Sequence, residues 1–137
     1  MSPEVISRKI SRMLTYMEDL IPYGEVPYDA FLADHYKVER LIELIVMAAS
    51  DIAFHLLAIE NEPPPVSYRS AFLRLGELKI IDAETSRSLA LGAGLRNILV
   101  HDYEEIDYKL LHNSIPTIIR DMRRFMDAVV ERKNKIE

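Results

Sequence analysis

Arg96, Asn97, His101 and Tyr103 are the side chains of this sequence whose types and spacing best suit chemistry. They lie in Leu95-Arg96-Asn97-Ile98-Leu99-Val100-His101-Asp102-Tyr103, at the apolar end of a predicted helix where core packing alone would supply Leu or Ala. Histidine titrates near neutrality and moves protons, and the permanently charged fork of arginine matches phosphate oxygens. On an ideal helix, at about 100° per residue, Arg96 and His101 stand roughly 140° apart. Arg96 and Tyr103 share one face and Asn97 and His101 another. One straight helix therefore does not aim both groups at one atom: either the helix end distorts, or a second copy of the segment completes the site.

The scaffold for this stretch is one domain spanning 1–137. At 137 residues the chain buries a core without disulfides or structural metal, and it has no cysteine, which excludes thiolate sites and cysteine nucleophiles. Apolar runs are interrupted by charge short of the ~20 residues of a membrane span, and the start lacks a signal-peptide pattern, so no membrane association and a cytoplasmic location are expected. Charge is uneven: residues 1–62 hold 5 Lys/Arg against 11 Asp/Glu, net −6, and residues 63–137 hold 12 against 11, net +1. A binder held to nucleic acid by bulk electrostatics would be basic overall, so any phosphate contact here is local.

The elements read as helices throughout. Ser2-Pro3 starts the first, with Ile6, Ile10, Met13, Met17 and Leu20 as its apolar stripe, and Pro22-Tyr23-Gly24 ends it. A long second helix runs from about Asp29 to about Ile59 with a wide apolar face, up to the break at Asn61-Glu62-Pro63-Pro64-Pro65. A short third begins near Ser67 and stops at Gly76, read as a left-handed terminator. Asp82 caps the fourth, which carries the stretch above, and Asp107 caps the fifth, where Pro116 predicts a kink or a late start. Its inner side reads as Leu110, Leu111, Ile115, Ile118, Ile119, Met122, Phe125 and Val129. No strand signal is present, and the expectation is an all-α up-and-down bundle of about five helices.

Within this frame the sequence resembles the HEPN domains, and among them the HepT-like toxins of toxin–antitoxin pairs. The family's motif is Arg, four to six residues, His, one residue, Tyr, met here by Arg96, His101 and Tyr103. Ser67-Tyr68-Arg69-Ser70-Ala71-Phe72, Gly94-Leu95-Arg96-Asn97, Val100-His101-Asp102-Tyr103-Glu104-Glu105-Ile106-Asp107, Tyr36-Lys37-Val38-Glu39-Arg40 and Asp51-Ile52-Ala53-Phe54-His55 are similar too. The net acidity departs from what an RNA-binding family leads one to expect. The resemblance implies a homodimer with facing motif copies, an RNA substrate, and an MntA-like nucleotidyltransferase antitoxin that adds AMP to the motif tyrosine, here Tyr103. It implies a metal-independent endoribonuclease that needs no cofactor, because the RNA 2′-hydroxyl is itself the nucleophile. His101 would then transfer protons, Arg96 would clamp the phosphate, and Asn97 and Tyr103 would position the substrate.

A blander reading pairs Arg96 with Asp102 or Glu105 and has His101 cap a helix C-terminus. A second function follows from it: a non-catalytic helical subunit that dimerises and presents nucleotide or substrate to a nucleotidyltransferase. Of the remaining groups, Asp51 and His55 read as a buried hydrogen-bonded pair rather than half a metal site, since no further ligand extends the pattern. His35 and His112 read as surface residues. Arg120, Arg123 and Arg124 read either as a phosphate- or partner-holding run or as a solvated face paired with Asp121 and Asp127.

Overall fold

The apolar stripe of the first helix, α1 (Pro3–Leu20), turns Ile6, Met13, Met17 and Leu20 fully inward. In the computed structural model the backbone is described for residues 3–101 and 106–136, and side chains for 4–92 and 106–136. Among the described residues there are six α-helices, one 3-10 turn and no strand. After α1 come the 3-10 turn Ile21–Gly24, α2 (Tyr28–Ala33), α3 (His35–Ile59), α4 (Tyr68–Glu77), α5 (Ala83–His101) and α6 (Tyr108–Ile136). α1 packs along α3 and α4 along α5. The all-α bundle is as expected, with one more helix.

The extra helix arises at Asp34, where the long second helix of the sequence reading breaks into α2 and α3. Asp34 leaves helical geometry at φ −111° and ψ 21°, and its carboxylate accepts a hydrogen bond of 2.8 Å from the Tyr23 hydroxyl. That bond ties the break to the 3-10 turn and pushes the Tyr23 hydroxyl above its ordinary pKa. α3 is central: Val38, Leu41, Ile42, Ile45, Ala49, Ile52, Ala53 and Leu56 are all buried. By length and composition α3 is apolar enough to cross a membrane, contrary to the reading of its apolar run as too short, but half of that stretch is buried inside the bundle. Phe72 of α4 and Phe125 of α6 meet edge to face at 5.8 Å, each fully buried and each contributing roughly 1.5–3 kcal/mol by area.

Local chemistry sets the helix ends. The Ser67 hydroxyl accepts from the Ser70 backbone N–H at 3.0 Å while the Ser70 hydroxyl accepts from the Ser67 N–H, a reciprocal cap. α3 ends with Asn61 at φ 59°, its N–H donating to the Ala58 carbonyl and the Glu62 N–H to that of Leu57. α4 ends the same way on Lys79 at φ 62°, with the Ile80 N–H donating to the Leu75 carbonyl. Gly76 is thus not the left-handed terminator the sequence suggested. It lies inside α4, where a Cβ would stand 2.4 Å from Ser86 Oγ, so its service is close packing of α4 on α5. Pro116 lies within α6, which starts at Tyr108, so no late start occurs. Leu110, expected inside, is 60% exposed.

Candidate active site

α5 carries the candidate motif, and its first three turns are fastened on several sides. The Asp82 carboxylate accepts from the Thr85 N–H at 2.8 Å and from the Thr85 hydroxyl at 2.9 Å. These bonds, the backbone one foremost, hold the Asp82 carboxyl below its ordinary pKa. One turn on, the buried Ser86 hydroxyl donates to the Phe72 carbonyl at 2.8 Å, seating α5 on α4. Ser88 donates to the carboxylate of Asp121 on α6, which is 5% exposed and is also approached by the Arg120 guanidinium at 3.3 Å. A buried carboxylate that kept no partner would cost several kcal/mol, so the Ser88 and Arg120 contacts account for its tolerance there.

Beside these anchors α5 and α6 border a groove of about 740 Å³, lined also by Ile42 and Val46 of α3. Leu91, 71% exposed, stands on one wall and Leu110 on the other, while Ser88, Asn113, Thr117 and Asp121 supply polar groups. α5 continues from this groove as unbroken α-helix to His101. Positions 96 and 101 therefore occupy five-residue register on a regular helix, and the distorted end that would let one chain converge them is not what the backbone adopts. The side chains of Arg96, Asn97 and His101 lie outside the described residues, and Tyr103 lies outside them altogether.

A family described as HepT-like ribonucleases matches residues 13–129, from within α1 to within α6, with the whole motif inside. The chain belongs to that family. Membership makes it an endoribonuclease. Among HepT-like relatives, the tRNA nuclease HepT of Aphanizomenon flos-aquae is 32% identical over 108 residues, 77% of this chain and 74% of that protein. The mRNA nuclease HepT of Shewanella oneidensis is also 32% identical, over 60% of this chain and 62% of its own. In fold, the tri-AMPylated Shewanella oneidensis HEPN toxin, solved in complex with MNT antitoxin, superposes with a TM-score of 0.84 at 24% identity, covering 93% of this chain and 97% of that one. A toxin–antitoxin complex with AMP-PNP gives a TM-score of 0.84 at 22% identity, covering 93% and 98%.

Around this HepT-like core the other candidate groups fall differently from their sequence reading. Asp51 is exposed rather than part of a buried pair, and its carboxylate takes the Lys9 ammonium. His55 is half-buried, and burial first, then the Lys9 charge, push its pKa down, so it is neutral near pH 7. His35 is half-buried, with Nδ1 2.7 Å from Glu39 Oε2 and its ring edge-on to Tyr108 at 4.7 Å. His112 stacks on Phe31 at 4.8 Å and its Nε2 lies 3.0 Å from the Val26 carbonyl. Both are packing residues rather than the surface residues the sequence suggested, because rings distant in sequence cover them, Tyr108 beside His35 and Phe31 beside His112. Arg120 pairs with Asp121 and Arg124 with Glu84 at 3.5 Å, leaving Arg123 exposed. Among the described residues no group of three or more His, Asp or Glu is placed to hold a metal.

The sequence reading missed Asp121 as a buried group. Its signal was present: Asp121 stands four residues before Phe125, on the stripe that faces the core, but its partner Ser88 is 33 residues away.

Proposed function

We propose that this chain is the toxin of a toxin–antitoxin pair, a homodimeric, metal-independent endoribonuclease whose two motif copies meet across the α5–α6 groove. Arg96 holds the scissile phosphate, His101 transfers protons to and from the 2′-hydroxyl and the leaving oxygen, and Asn97 and Tyr103 position the RNA. The observation that carries this reading is the unbroken helical register of α5 through position 101 in a chain of the HepT-like ribonuclease family. On such a helix Arg96 and His101 diverge, and a two-fold mate is the simplest source of the missing group. The exposed Leu91 and Leu110 beside an apolar groove supply the surface such a mate covers.

Control belongs to the same reading. A nucleotidyltransferase antitoxin, the kind of partner found with the solved toxin relative, adds AMP to Tyr103. The adenylate places an anionic phosphate beside Arg96 and a bulky base in the cleft, excluding RNA by charge and by volume. Two measurements test the proposal. Purified protein should cut labelled RNA equally with and without excess chelator; activity lost with EDTA and regained with a divalent ion overturns the mechanism. Co-expression with the antitoxin, intact mass and peptide mapping should find AMP on Tyr103; an inactive, unmodified chain means inhibition by binding alone.

A further inference from the structure

On the side of α3 away from the α5–α6 groove, α1 and α3 leave a second cleft, of about 340 Å³. Lys9, Arg12 and Tyr16 line it from α1, Asp51 and Phe54 from α3, and Tyr68 from the start of α4. Its charge runs against its surroundings. Residues 1–62 carry a net −6, yet the middle of α1 gathers Arg8, Lys9 and Arg12, with Glu4, Glu18 and Asp19 kept to its ends. Asp51 neutralises Lys9, whereas Arg8 and Arg12 are exposed and have no ion-pair partner among the described residues. The cleft thus presents uncompensated positive charge on an acidic half-molecule, a local site rather than a bulk field.

The rings define what lies beside that charge. Phe54 and Tyr68 are half-buried, with centroids 5.7 Å apart and planes at 40°, and Tyr16 is half-buried on the facing helix. Half-exposed rings next to an arginine fork are what successive bases and phosphates of a single strand require: a stacking surface and an anion clamp. An acidic peptide would find the arginine but would leave the rings unused.

We propose that the α1–α3 cleft is an RNA exosite, with Arg12, assisted by Arg8, taking a phosphate of a single-stranded segment away from the scissile bond, and with a base stacking among Tyr16, Phe54 and Tyr68. This rests on the ribonuclease reading, and it explains how an acidic chain holds RNA: two small sites on opposite faces of α3 replace one basic surface. Lys9, already neutralised, contributes less than Arg12.

The test uses the full chain and two exposed or half-exposed substitutions, Arg12→Glu and Tyr16→Ala, each checked for unchanged helical content. Anisotropy of a labelled 2′-O-methyl single strand, which cannot be cut, should show binding weakened about tenfold by Arg12→Glu and roughly fivefold or more by Tyr16→Ala. The slope of log affinity against log salt should fall by roughly 0.7 for the lost phosphate contact. Cleavage of a short RNA that spans only the scissile bond should be unchanged in both variants, while KM for a long RNA rises. If both variants bind the long strand as wild type does, and wild type cuts RNA, the exosite is overturned and the ribonuclease reading stands. If wild type cuts no RNA at all, that reading fails and the exosite with it. Arg12→Glu that loses free AMP but keeps the long strand, or that loses only the antitoxin, assigns the cleft to another occupant and overturns the proposal.

Discussion

The two grooves that flank α3 are built from different materials. The one between α5 and α6 is lined by Ile42, Val46, Leu89, Leu91, Leu110 and Met122, with its one carboxylate, Asp121, buried and partnered. The one between α1 and α3 has Leu44, Met47 and Ala48 in its lining too, but adds Lys9, paired with Asp51, three aromatic rings, and Arg12 standing in solvent. Apolar side chains exposed at an open groove lose free energy to water at about 25 cal/mol per Å² until something apolar covers them, so the first groove suits a protein surface. The second keeps its charge hydrated and suits a ligand that arrives charged. A single helix, apolar nearly all round, serves both by turning Ile42 and Val46 one way and Met47, Asp51 and Phe54 the other.

The sharpest way to break that comparison is at the motif. Arg96→Ala and His101→Ala should each lower RNA cleavage by about 10²-fold or more with helical content unchanged, the size expected for one charge-stabilising or proton-transferring group. Variants that cut normally would leave the α5–α6 groove with no catalytic purpose and favour a non-catalytic partner of a nucleotidyltransferase.

Next in size is the apolar groove itself. Leu91→Glu combined with Leu110→Glu places charge on both walls, and because a two-fold interface counts each change twice, the dimer should weaken by roughly 10- to 100-fold in Kd, read by sedimentation. Unchanged association would mean that this groove is not where copies meet.

Smaller effects come from how α5 is mounted. Gly76→Ala forces a methyl against Ser86, where a Cβ would lie 2.4 Å from Oγ, and should cost about 1–3 kcal/mol in denaturant midpoint with an unchanged slope. Asp82→Ala removes the cap and should cost about 1 kcal/mol at neutral pH. The pH dependence has a definite sign: the folded Asp82 carboxyl has a lowered pKa, so its contribution is complete above the ordinary carboxylate range and disappears as pH falls through the folded value. Wild type and Asp82→Ala should therefore converge in stability in acid. Asp82 is exposed, so the electrostatic share is small, and added salt should reduce it further.

What the sequence disclosed follows the range of each interaction. The caps at Asp82 and Asp107 act over three residues, and both form where the sequence places them. The break at Asp34 has no proline or glycine to announce it, since the apolar period of Phe31, Val38 and Ile42 passes through it, and Tyr23 lies 11 residues away. Gly76 was legible as special but not for the right reason: its neighbour is Ser86 on another helix. Asp121 is charged and reads as solvent-facing until Ser88 is placed beside it. Of the candidate site, the arginine–histidine spacing and its misfit to one straight helix were legible from helical geometry alone. The groove that a mate would cover was not, because the sequence reading put Leu110 on the inner side of α6, whereas it stands well around the helix from Leu111, Ile115 and Met122 and is 60% exposed.

The central claim is that one chain's arginine works with the other chain's histidine, and mixed dimers test it most directly. Arg96→Ala and His101→Ala proteins, each inactive, should be mixed, allowed to exchange subunits, and assayed on labelled RNA. Half of the dimers then contain one chain of each kind, and each of these has one intact arginine–histidine pair across the interface, so activity should return to about a quarter of wild type. A mixture no more active than either variant alone, with subunit exchange shown by native mass, would contradict the composite site and place the whole of the chemistry within one chain.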